Sequence, residues 1–398
     1  MKTVDVAIIG GGIIGLATGW RISQRFPDKS ILVLEKETQV AQHQTGHNSG
    51  VLHSGIYYKP GSLRATNCRE GKEEMEAFCD AEEIAWEKCG KVIVAVDESE
   101  LSSLNNIFDR GQQNGVTCEM IGEERLKELE PHVAGIRGIH VPETGIVDYK
   151  QVAVRLAERI QEKDNQVETT AEVTGIRHHA DYITIQTELA EYSAKHVINC
   201  GGLFSDRVAR MGGARPDSKI VPFRGEYYVL KPQAQHLCRA LIYPVPNPEF
   251  PFLGVHFTKM IHGGVECGPN AVWAFAREGY SNRHINFRDM FESATYPGFL
   301  KMAFKYWRTG VKEMWRSLSK SAFVKELQHL IPEIKAEDLE TAPAGVRAQA
   351  LGPDGNIIDD FLIDESDRMI NVLNAPSPAA TSSLRIGSLV TDRLAAHF

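Results

Sequence analysis

The sequence predicts an α/β protein of two domains, in which one domain is assembled from three chain segments and a mixed-sheet α+β domain is inserted between them. The chain has 398 residues, more than one hydrophobic core usually carries. It opens with a strand, a glycine-rich turn and a helix, which is the start of a parallel α/β unit. Similar strand–turn–helix units return only much later, after a long stretch of irregular and helical sequence.

The first segment has the pattern of a nucleotide-binding turn. Residues 4–9, "VDVAII", form a predicted buried strand, and Gly10, Gly12 and Gly15 follow in the spacing G-x-G-x-x-G before a helix. The first glycine allows the tight turn, the second lets backbone approach a pyrophosphate, and the third lets helix pack on strand. A second strand ends at Glu35, whose carboxylate suits a ribose 2′-hydroxyl and repels a 2′-phosphate. A Rossmann-like site for an adenine dinucleotide of the NAD or FAD kind is therefore predicted.

The sequence after Glu35 favours FAD over NAD. An NAD dehydrogenase would continue as alternating strands and helices. Here a polar stretch at 45–58, "TGHNSGVLHSGIYY", precedes a predicted helix over 62–81, and the strand at 91–96 leads away into irregular sequence. A nucleotide-binding domain interrupted in this way is typical of FAD-dependent oxidoreductases.

Features of the nucleotide-binding domain return in the later sequence. They are a predicted helix in "GIVDYKQVAVRLAERIQEK", a hairpin in "AEVTGIRHHADYITIQT", a strand–turn–helix unit in "HVINCGGLFSDRVARMGG" and a strand–loop–helix unit at the end of the sequence. We therefore expect the Rossmann-like FAD-binding domain to comprise residues 1–85, 145–215 and 340–398. The inserted substrate-binding domain then comprises residues 86–144 and 216–339.

Composition and charge exclude several classes of protein. The net charge of -8 argues against nucleic acid as a partner, because binding phosphates needs a basic surface. The seven cysteines form no C-x-x-C pair, which predicts reduced thiols and no metal framework. No apolar run reaches the roughly 18 residues that a membrane span needs. We expect a cytoplasmic protein.

The whole chain resembles the D-amino-acid-oxidase-type FAD superfamily. Within it, "HQTGHNSGVLHSGIYYKPGSLR", "PFRGEYY", "PFLGVHFT", "GPNAV", "PAGVRAQA" and "NAPSPAATS" are similar to motifs of the L-2-hydroxyglutarate oxidase/dehydrogenase family. The resemblance covers essentially all of the sequence. It implies that FAD oxidises L-2-hydroxyglutarate to 2-oxoglutarate, with hydride transfer to flavin N5 and electrons passed to a quinone or to oxygen.

The polar stretch at 45–58 suits a flavin, whose polar edge and ribityl chain need close approach of backbone. We expect Thr45 to Val51 to line the diphosphate, ribityl chain and ring, with Ser49 and Gly50 nearest the ring. The loop 377–381 opens a helix whose positive end would stabilise reduced flavin, and the resemblance implies that Val173 contacts the adenine. The predicted cofactor-binding residues are Gly10, Gly12, Ile14, Gly15, Glu35, Lys36, Thr45, Gly46, His47, Asn48, Ser49, Gly50, Val51, Val173, Cys200, Gly201, Gly202, Ser377, Pro378, Ala379, Ala380 and Thr381.

Oxidation of a secondary alcohol also needs a base for the hydroxyl proton, and histidine suits that role near neutral pH. His53 is the first candidate, because it directly follows the flavin-lining residues, and His256 in "PFLGVHFT" is the second. A role for His53 that is limited to hydrogen bonding is the alternative. Metal binding by His47 and His53 is disfavoured, because no carboxylate or cysteine lies close to them in sequence.

A dicarboxylate substrate needs cations or several neutral donors in its pocket. The predicted substrate-binding residues are Arg224, Arg347, Tyr57, Tyr58, Tyr228 and Lys59. Either arginine could instead form a structural ion pair, and the tyrosines could simply pack.

Residues 299–316, "FLKMAFKYWRTGVKEMWR", combine a basic and an aromatic stripe at helical spacing. Such a helix is typical of proteins that lie on anionic membranes. The alternative is a helix whose aromatic stripe packs on its own domain. Peripheral attachment to the inner face of the cytoplasmic membrane would suit transfer of electrons to a quinone.

Other functions remain open on the sequence alone. The protein could be an FAD oxidoreductase of another small acid, such as an amino acid or glycerol 3-phosphate. It could also be a flavin-stabilised binding protein without turnover, or an NAD dehydrogenase.

Overall fold

The computed structural model of the protein describes residues 2–246 and 253–398. The strands in these ranges are β1 (Lys2–Ile9), β2 (Ile31–Leu34), β3 (Val51–Leu52), β4 (Trp86–Glu87), β5 (Lys91–Ala95), β6 (Glu119–Gly122), β7 (Arg137–Val141), β8 (Gly145–Val147), β9 (Gln166–Glu168), β10 (Val173–His178), β11 (Ile183–Thr187), β12 (Glu191–Asn199), β13 (Lys219–Leu230), β14 (Leu241–Pro244), β15 (His256–Lys259), β16 (Val265–Gly268), β17 (Val272–Trp273), β18 (Leu339–Leu351), β19 (Leu362–Glu365) and β20 (Met369–Asn374). The helices are α1 (Ile13–Arg25), α2 (Leu63–Ala81), α3 (Leu101–Gln113), α4 (Glu123–Leu129), α5 (Tyr149–Gln161), α6 (Ser205–Met211), α7 (Phe287–Ala294), α8 (Pro297–Lys305), α9 (Trp307–Leu318), α10 (Lys320–Leu330) and α11 (Ser383–Ala395).

The first sheet has eight strands and draws them from three parts of the chain: β1 and β2, β9 to β12, and β19 and β20. Its centre is parallel, because β1 lies between β2 and β12 and runs in the direction of both. The predicted hairpin is present as β10 and β11, and β20 pairs in parallel with the end of β12. The prediction of a nucleotide-binding domain assembled from three segments is confirmed.

Helices α1, α5 and α11 pack against this sheet, and α1 also contacts both of the other helices. Val152, Leu156 and Ile160, the apolar residues that predicted α5, are completely buried. The helix begins later than the predicted 145, because residues 145–147 form β8. Asp148 then caps the helix, and its carboxylate accepts a hydrogen bond from the backbone N–H of Lys150 at 2.8 Å.

The second sheet has nine strands in the order β17-β13-β16-β15-β14-β5-β7-β6, with β18 also paired to β13. It is mixed, because β5 and β14 are parallel while β13 and β18 are antiparallel. The predicted domain boundary at 340 needs correction here. β18 pairs with β13 from Leu339 opposite Leu230 to Leu351 opposite Lys219, so this segment belongs to the second sheet.

The two faces of the second sheet have different surroundings. One face packs Val92, Ile242 and Phe257 against α10. The opposite face carries Tyr243 and His256, which line the cavity described below. A small third sheet, β3-β8-β4, joins the nucleotide-binding segments to the start of the inserted domain.

The segment 299–316 is not one helix. It is divided at Tyr306, which ends α8 and precedes α9. Within the described residues, no helix is both long enough and apolar enough to cross a membrane.

Candidate active site

A cavity of about 1930 Å³ is lined by residues from both large sheets. Its volume exceeds the roughly 300–1,000 Å³ of a pocket for one small ligand, so it has room for a dinucleotide together with a substrate. Gly10 and Gly12 line one part of it, and His53, His256 and Arg347 line another.

The glycine-rich turn has the close contacts that the motif predicts. Gly10 has φ +112°, and a Cβ at this position would lie 2.4 Å from the carbonyl oxygen of Cys200. A Cβ on Gly15 would lie 2.1 Å from the carbonyl oxygen of Gly10. Gly12 has no side chain to cap α1, and the N–H of Ile13 donates to Thr45 Oγ1 at 3.0 Å, so the next N–H groups of the first turn are the ones offered to a diphosphate.

Glu35 lies buried beside this turn, where the ribose of a dinucleotide is expected. One carboxylate oxygen accepts a hydrogen bond from Gly11 N–H at 2.7 Å, and the other accepts one from Glu37 N–H at 2.9 Å. The side chain lines the cavity and is 6% exposed. These contacts hold a carboxylate at the end of β2, as the sequence predicts.

Most of the predicted cofactor-binding residues line the cavity. They are Gly10, Gly12, Ile14, Glu35, Lys36, Thr45, His47, Asn48, Ser49, Val51, Val173, Cys200, Gly201, Gly202, Ser377, Pro378, Ala379, Ala380 and Thr381. Three of the predicted residues do not line it: Gly15, Gly46 and Gly50. At these positions the absence of a side chain lets the backbone pack closely against other backbone atoms. A Cβ on Gly46 would lie 2.4 Å from Ala41 O, and one on Gly50, at φ +68°, would lie 2.7 Å from Val147 O. The prediction that Gly50 lies nearest the flavin is therefore not supported.

The C-terminal loop 377–381 is tied to the loop that carries His53. Thr381 accepts a hydrogen bond from His53 N–H at 3.2 Å, and its hydroxyl lies 2.8 Å from that of Tyr149. The Tyr149 hydroxyl also donates to Val51 O at 3.0 Å. The helix predicted after this loop is present as α11, so the loop joins its N-terminus to the cavity.

His53 and His256 line the same part of the cavity, although they are far apart in sequence. His256 donates from Nδ1 to the carbonyl oxygen of Gly254 at 2.9 Å, which leaves Nε2 as an acceptor. Burial lowers the pKa of His256 to about 4 and that of His53 to about 3, so both are neutral near pH 7. Residues 251 and 252 of the "PFLGVHFT" motif lie outside the described residues.

Arg347 lines the cavity, as predicted, and forms a hydrogen bond with the side chain of Tyr227. Arg224 is not brought to the cavity. It is 2% exposed, forms an ion pair with Glu226 at 3.0 Å and donates to Asn282. Its predicted role in substrate binding is wrong, because Glu226 on the same strand and Asn282, far along the chain, hold the guanidinium away from the cavity.

Tyr228 does not line the cavity either, and Tyr227 does. The Tyr228 ring packs against Phe323 on the α10 side of the second sheet, with centroids 4.9 Å apart. Successive strand residues face opposite sides, so the tyrosine pair in "PFRGEYY" puts one ring on each side. The prediction selected the wrong tyrosine of the pair.

Tyr57, Tyr58 and Lys59 line the cavity, as predicted. Lys59 is exposed, so its ammonium lies where the cavity meets solvent. The guanidinium of Arg64 lies 4.6 Å from the Tyr58 ring centroid and also lines the cavity. This arginine was not predicted, although it stands in the quoted motif "HQTGHNSGVLHSGIYYKPGSLR".

Tyr243 is a further cavity residue that sequence reasoning missed. Its ring packs on that of His256, with centroids 4.0 Å apart. It lies in the short strand β14, "LIYP", where it reads as an ordinary core residue.

A cluster of charged residues joins the loop after β2 to the inserted domain. Lys36 Nζ lies 2.6 Å from both Glu37 and Glu278, and His43 Nε2 lies 3.0 Å from the same two carboxylates. The histidine and the two carboxylates have the spacing of metal ligands. The Lys36 ammonium already lies between both carboxylates, so the cluster is an internal ion-pair network rather than a metal site.

Comparison with known proteins identifies the family. The model of the family "FAD dependent oxidoreductase" matches residues 5–393. The chain is 52% identical over 390 residues to an L-2-hydroxyglutarate dehydrogenase of Indibacter alkaliphilus, which covers 98% of each chain. It is 44% identical to the mitochondrial L-2-hydroxyglutarate dehydrogenase of Homo sapiens, over 100% of this chain and 90% of that one.

Solved structures share the fold at lower identity. An L-alpha-glycerophosphate oxidase from Mycoplasma pneumoniae, with FAD bound, superposes with a TM-score of 0.80 at 24% identity, over 98% of this chain and 94% of that one. A glycine oxidase from Geobacillus kaustophilus superposes with a TM-score of 0.76 at 18% identity, over 100% and 96% of the two chains. The glycine-rich turn, the buried Glu35 and the size of the cavity fit FAD. The chain belongs to the FAD-dependent oxidoreductase family and, within it, to the L-2-hydroxyglutarate dehydrogenases.

Proposed function

We propose that this protein oxidises L-2-hydroxyglutarate to 2-oxoglutarate. The proposal is carried by one observation, which is that two neutral histidines and Arg347 line the cavity that begins at the nucleotide-binding turn. This combination provides a proton acceptor and a cation for an anionic substrate within a single cavity. When bound, FAD supplies the acceptor for the hydride that leaves the substrate carbon.

His256 is our proposed base for the hydroxyl proton. Its hydrogen bond to Gly254 O holds the proton on Nδ1, so Nε2 is available to accept another. A neutral imidazole has the protonation state that a base requires. The nearby His53, also neutral, is then the residue that hydrogen-bonds substrate or flavin.

Recognition of the substrate carboxylates falls to the cations and hydroxyls of the cavity. The Arg347 guanidinium can form charge-assisted hydrogen bonds to a carboxylate, and its partner Tyr227 adds a hydroxyl. Tyr57 has a buried hydroxyl without a partner among the described residues, which makes it a further donor. Lys59 at the exposed mouth would attract the dianion before it enters.

The visible spectrum of the purified FAD-loaded protein tests this function. Without oxygen, L-2-hydroxyglutarate should bleach the flavin absorbance, while D-2-hydroxyglutarate and malate should not. A flavin that stays oxidised with all three acids would contradict the proposed substrate. Bleaching by an amino acid or glycerol 3-phosphate instead would transfer the assignment to another small acid.

We further propose that the electrons pass to a quinone or oxygen and that α8 and α9 rest on an anionic membrane. The supporting observation is a surface of exposed apolar residues, here called the aromatic surface: Leu300, Phe304, Trp307, Val311, Trp315 and Leu318, which are 53–84% exposed. The alternative in which this stripe packs on its own domain is wrong for these residues.

Exposed cations accompany the aromatic surface. Lys301, Lys305, Arg308 and Lys312 are exposed, whereas Arg316 is turned inward to Glu313 and Glu326. Aromatic side chains next to exposed cations are the combination that binds the interface of an anionic bilayer. The proposal therefore makes this a peripheral membrane protein on the inner face of the cytoplasmic membrane.

Flotation with liposomes tests the membrane proposal. The protein should float with vesicles that contain anionic lipid, and less with purely zwitterionic vesicles. Trp307→Ala combined with Trp315→Ala should abolish flotation, because both indoles are more than half exposed. Wild-type protein that stays in the unbound fraction with anionic vesicles would remove the proposal.

A further inference from the structure

Lys91 is a buried lysine directly behind the substrate end of the cavity. It begins β5 and is 2% exposed. Its Nζ lies 4.7 Å from the ring centroid of Tyr57 and 5.0 Å from that of Tyr243. Both rings line the cavity, and the Tyr243 ring packs on His256. The ammonium is therefore separated from the cavity by two aromatic rings.

The ammonium has no carboxylate partner within the described parts of the chain. Among the described residues, the group whose negative charge would act on Lys91 is the thiol of Cys68. Burial raises the pKa of Cys68 to about 12, so this group is a neutral thiol. Lysine side chains are almost never fully buried without a partner. Lys72 shows the ordinary case, because it is also buried but lies 2.5 Å from Glu76.

We propose that Lys91 provides a fixed positive charge for the substrate pocket and that the carboxylates of a dianionic substrate are its counter-charge. The inference rests on the proposed function and extends it, because Lys91 acts through Tyr57 and Tyr243 rather than by touching substrate. The ring faces hold the ammonium in place by cation–π attraction while the site is empty. A low dielectric around Lys91 lets its charge act across the rings.

The same charge adds to burial in keeping the two histidines neutral. Burial lowers the pKa of Lys91 to about 8, so the side chain is still mostly protonated near pH 7. Lys91 lowers the pKa of both His53 and His256, with further contributions from Arg64 at His53 and Arg347 at His256. None of the groups that act on these imidazoles is a carboxylate. The carboxyl of Glu266 acts on the neighbouring Tyr227 and Tyr243 instead. A substrate dianion would therefore bring negative charge to the imidazoles themselves, and it would raise the basicity of the histidines as it binds.

Ligand binding without turnover tests this role. The probe is glutarate, a dicarboxylate without a hydroxyl group, titrated into the FAD-loaded protein and followed by changes in the flavin spectrum. Lys91→Met should raise the Kd for glutarate about tenfold or more, because it removes a nearby unit charge. The Kd for butyrate, which carries one charge instead of two, should change less.

Lys72→Met is the matched control. It removes a buried lysine that has its own carboxylate partner, so it should lower Tm without changing the Kd for glutarate. In the pH profile of kcat/KM with L-2-hydroxyglutarate, the acid limb of Lys91→Met should move to higher pH, and that of Lys72→Met should not. A loss of packing alone would not move this limb.

Two results would overturn the role of Lys91. One is a Kd for glutarate in Lys91→Met within about twofold of the wild type. The other is an equal weakening in Lys91→Met and Lys72→Met. Failure of the proposed function looks different, because the wild type would then bind glutarate while L-2-hydroxyglutarate leaves the flavin oxidised.

Discussion

Replacement of His256 by glutamine tests the proposed base most directly. Glutamine can still donate a hydrogen bond toward Gly254, but it cannot accept a proton as imidazole Nε2 can. General-base catalysis is typically worth 10²–10⁴-fold, so the rate of flavin reduction should fall by about that factor. His53→Gln should lower the rate much less, because His53 has no proton to remove in this scheme.

The pH dependence follows from burial of the histidine. With a pKa of about 4, about one His256 side chain in a thousand is protonated at pH 7. For the free enzyme, kcat/KM should therefore stay level from neutral pH down to about pH 5 and fall below it. The acid limb of kcat should lie at higher pH, because the bound dianion favours the protonated imidazole.

Anaerobic stopped-flow measurement of flavin reduction over a range of pH provides the assay. His256→Gln should be slow at every pH and should lose the acid limb. The reasoning would be refuted if His256→Gln kept the wild-type rate within about threefold while His53→Gln lost about a hundredfold or more. An acid limb near pH 6.5 in the wild-type kcat/KM profile would also contradict it, since that is the pKa of an unburied histidine.

Four other results are expected. Tyr227→Phe should raise KM about tenfold, because a hydroxyl bonded to the pocket arginine is lost, whereas Tyr228→Phe, on the other side of the sheet, should leave KM unchanged. Gly15→Ala should lower the FAD content and Tm, because its Cβ would lie 2.1 Å from a backbone oxygen. Gly310→Ala, in open space on an exposed helix, should raise stability by about 0.5–1 kcal/mol. Tm should fall as pH drops from 6.5 towards 4, because the histidines at 53 and 256 bind protons in the unfolded chain but stay neutral in the folded protein. A variant with glutamine at both should show a shallower fall, and equal slopes would contradict this reading.

The sequence by itself determined the nucleotide-binding turn and the family. Gly10, Gly12 and Gly15 lie in one strand–turn–helix unit, so their spacing alone predicts the turn, although Gly10 also packs against the backbone of Cys200 from a later segment. The three-segment architecture could also be predicted, because each return to the first sheet repeats a local pattern. The helix start at Tyr149 was less well predicted, since it depends on the short strand β8 and its pairing with β3 and β4.

Only the tertiary structure decided which side chains reach the substrate end of the cavity. The choice between Tyr227 and Tyr228 depends on which face of the second sheet α10 covers. Arg224 is excluded by its pairing with Glu226 and by Asn282, which lies far from it in the chain. Lys91 begins an ordinary strand in the sequence. Its proposed role at the substrate pocket can be inferred only from the folded structure, in which the rings of Tyr57 and Tyr243 from two other segments pack on its ammonium. The physical reason is that these properties depend on burial and on partners that are distant in sequence, whereas the glycine-rich turn is recognised from a pattern of residues that are adjacent in sequence.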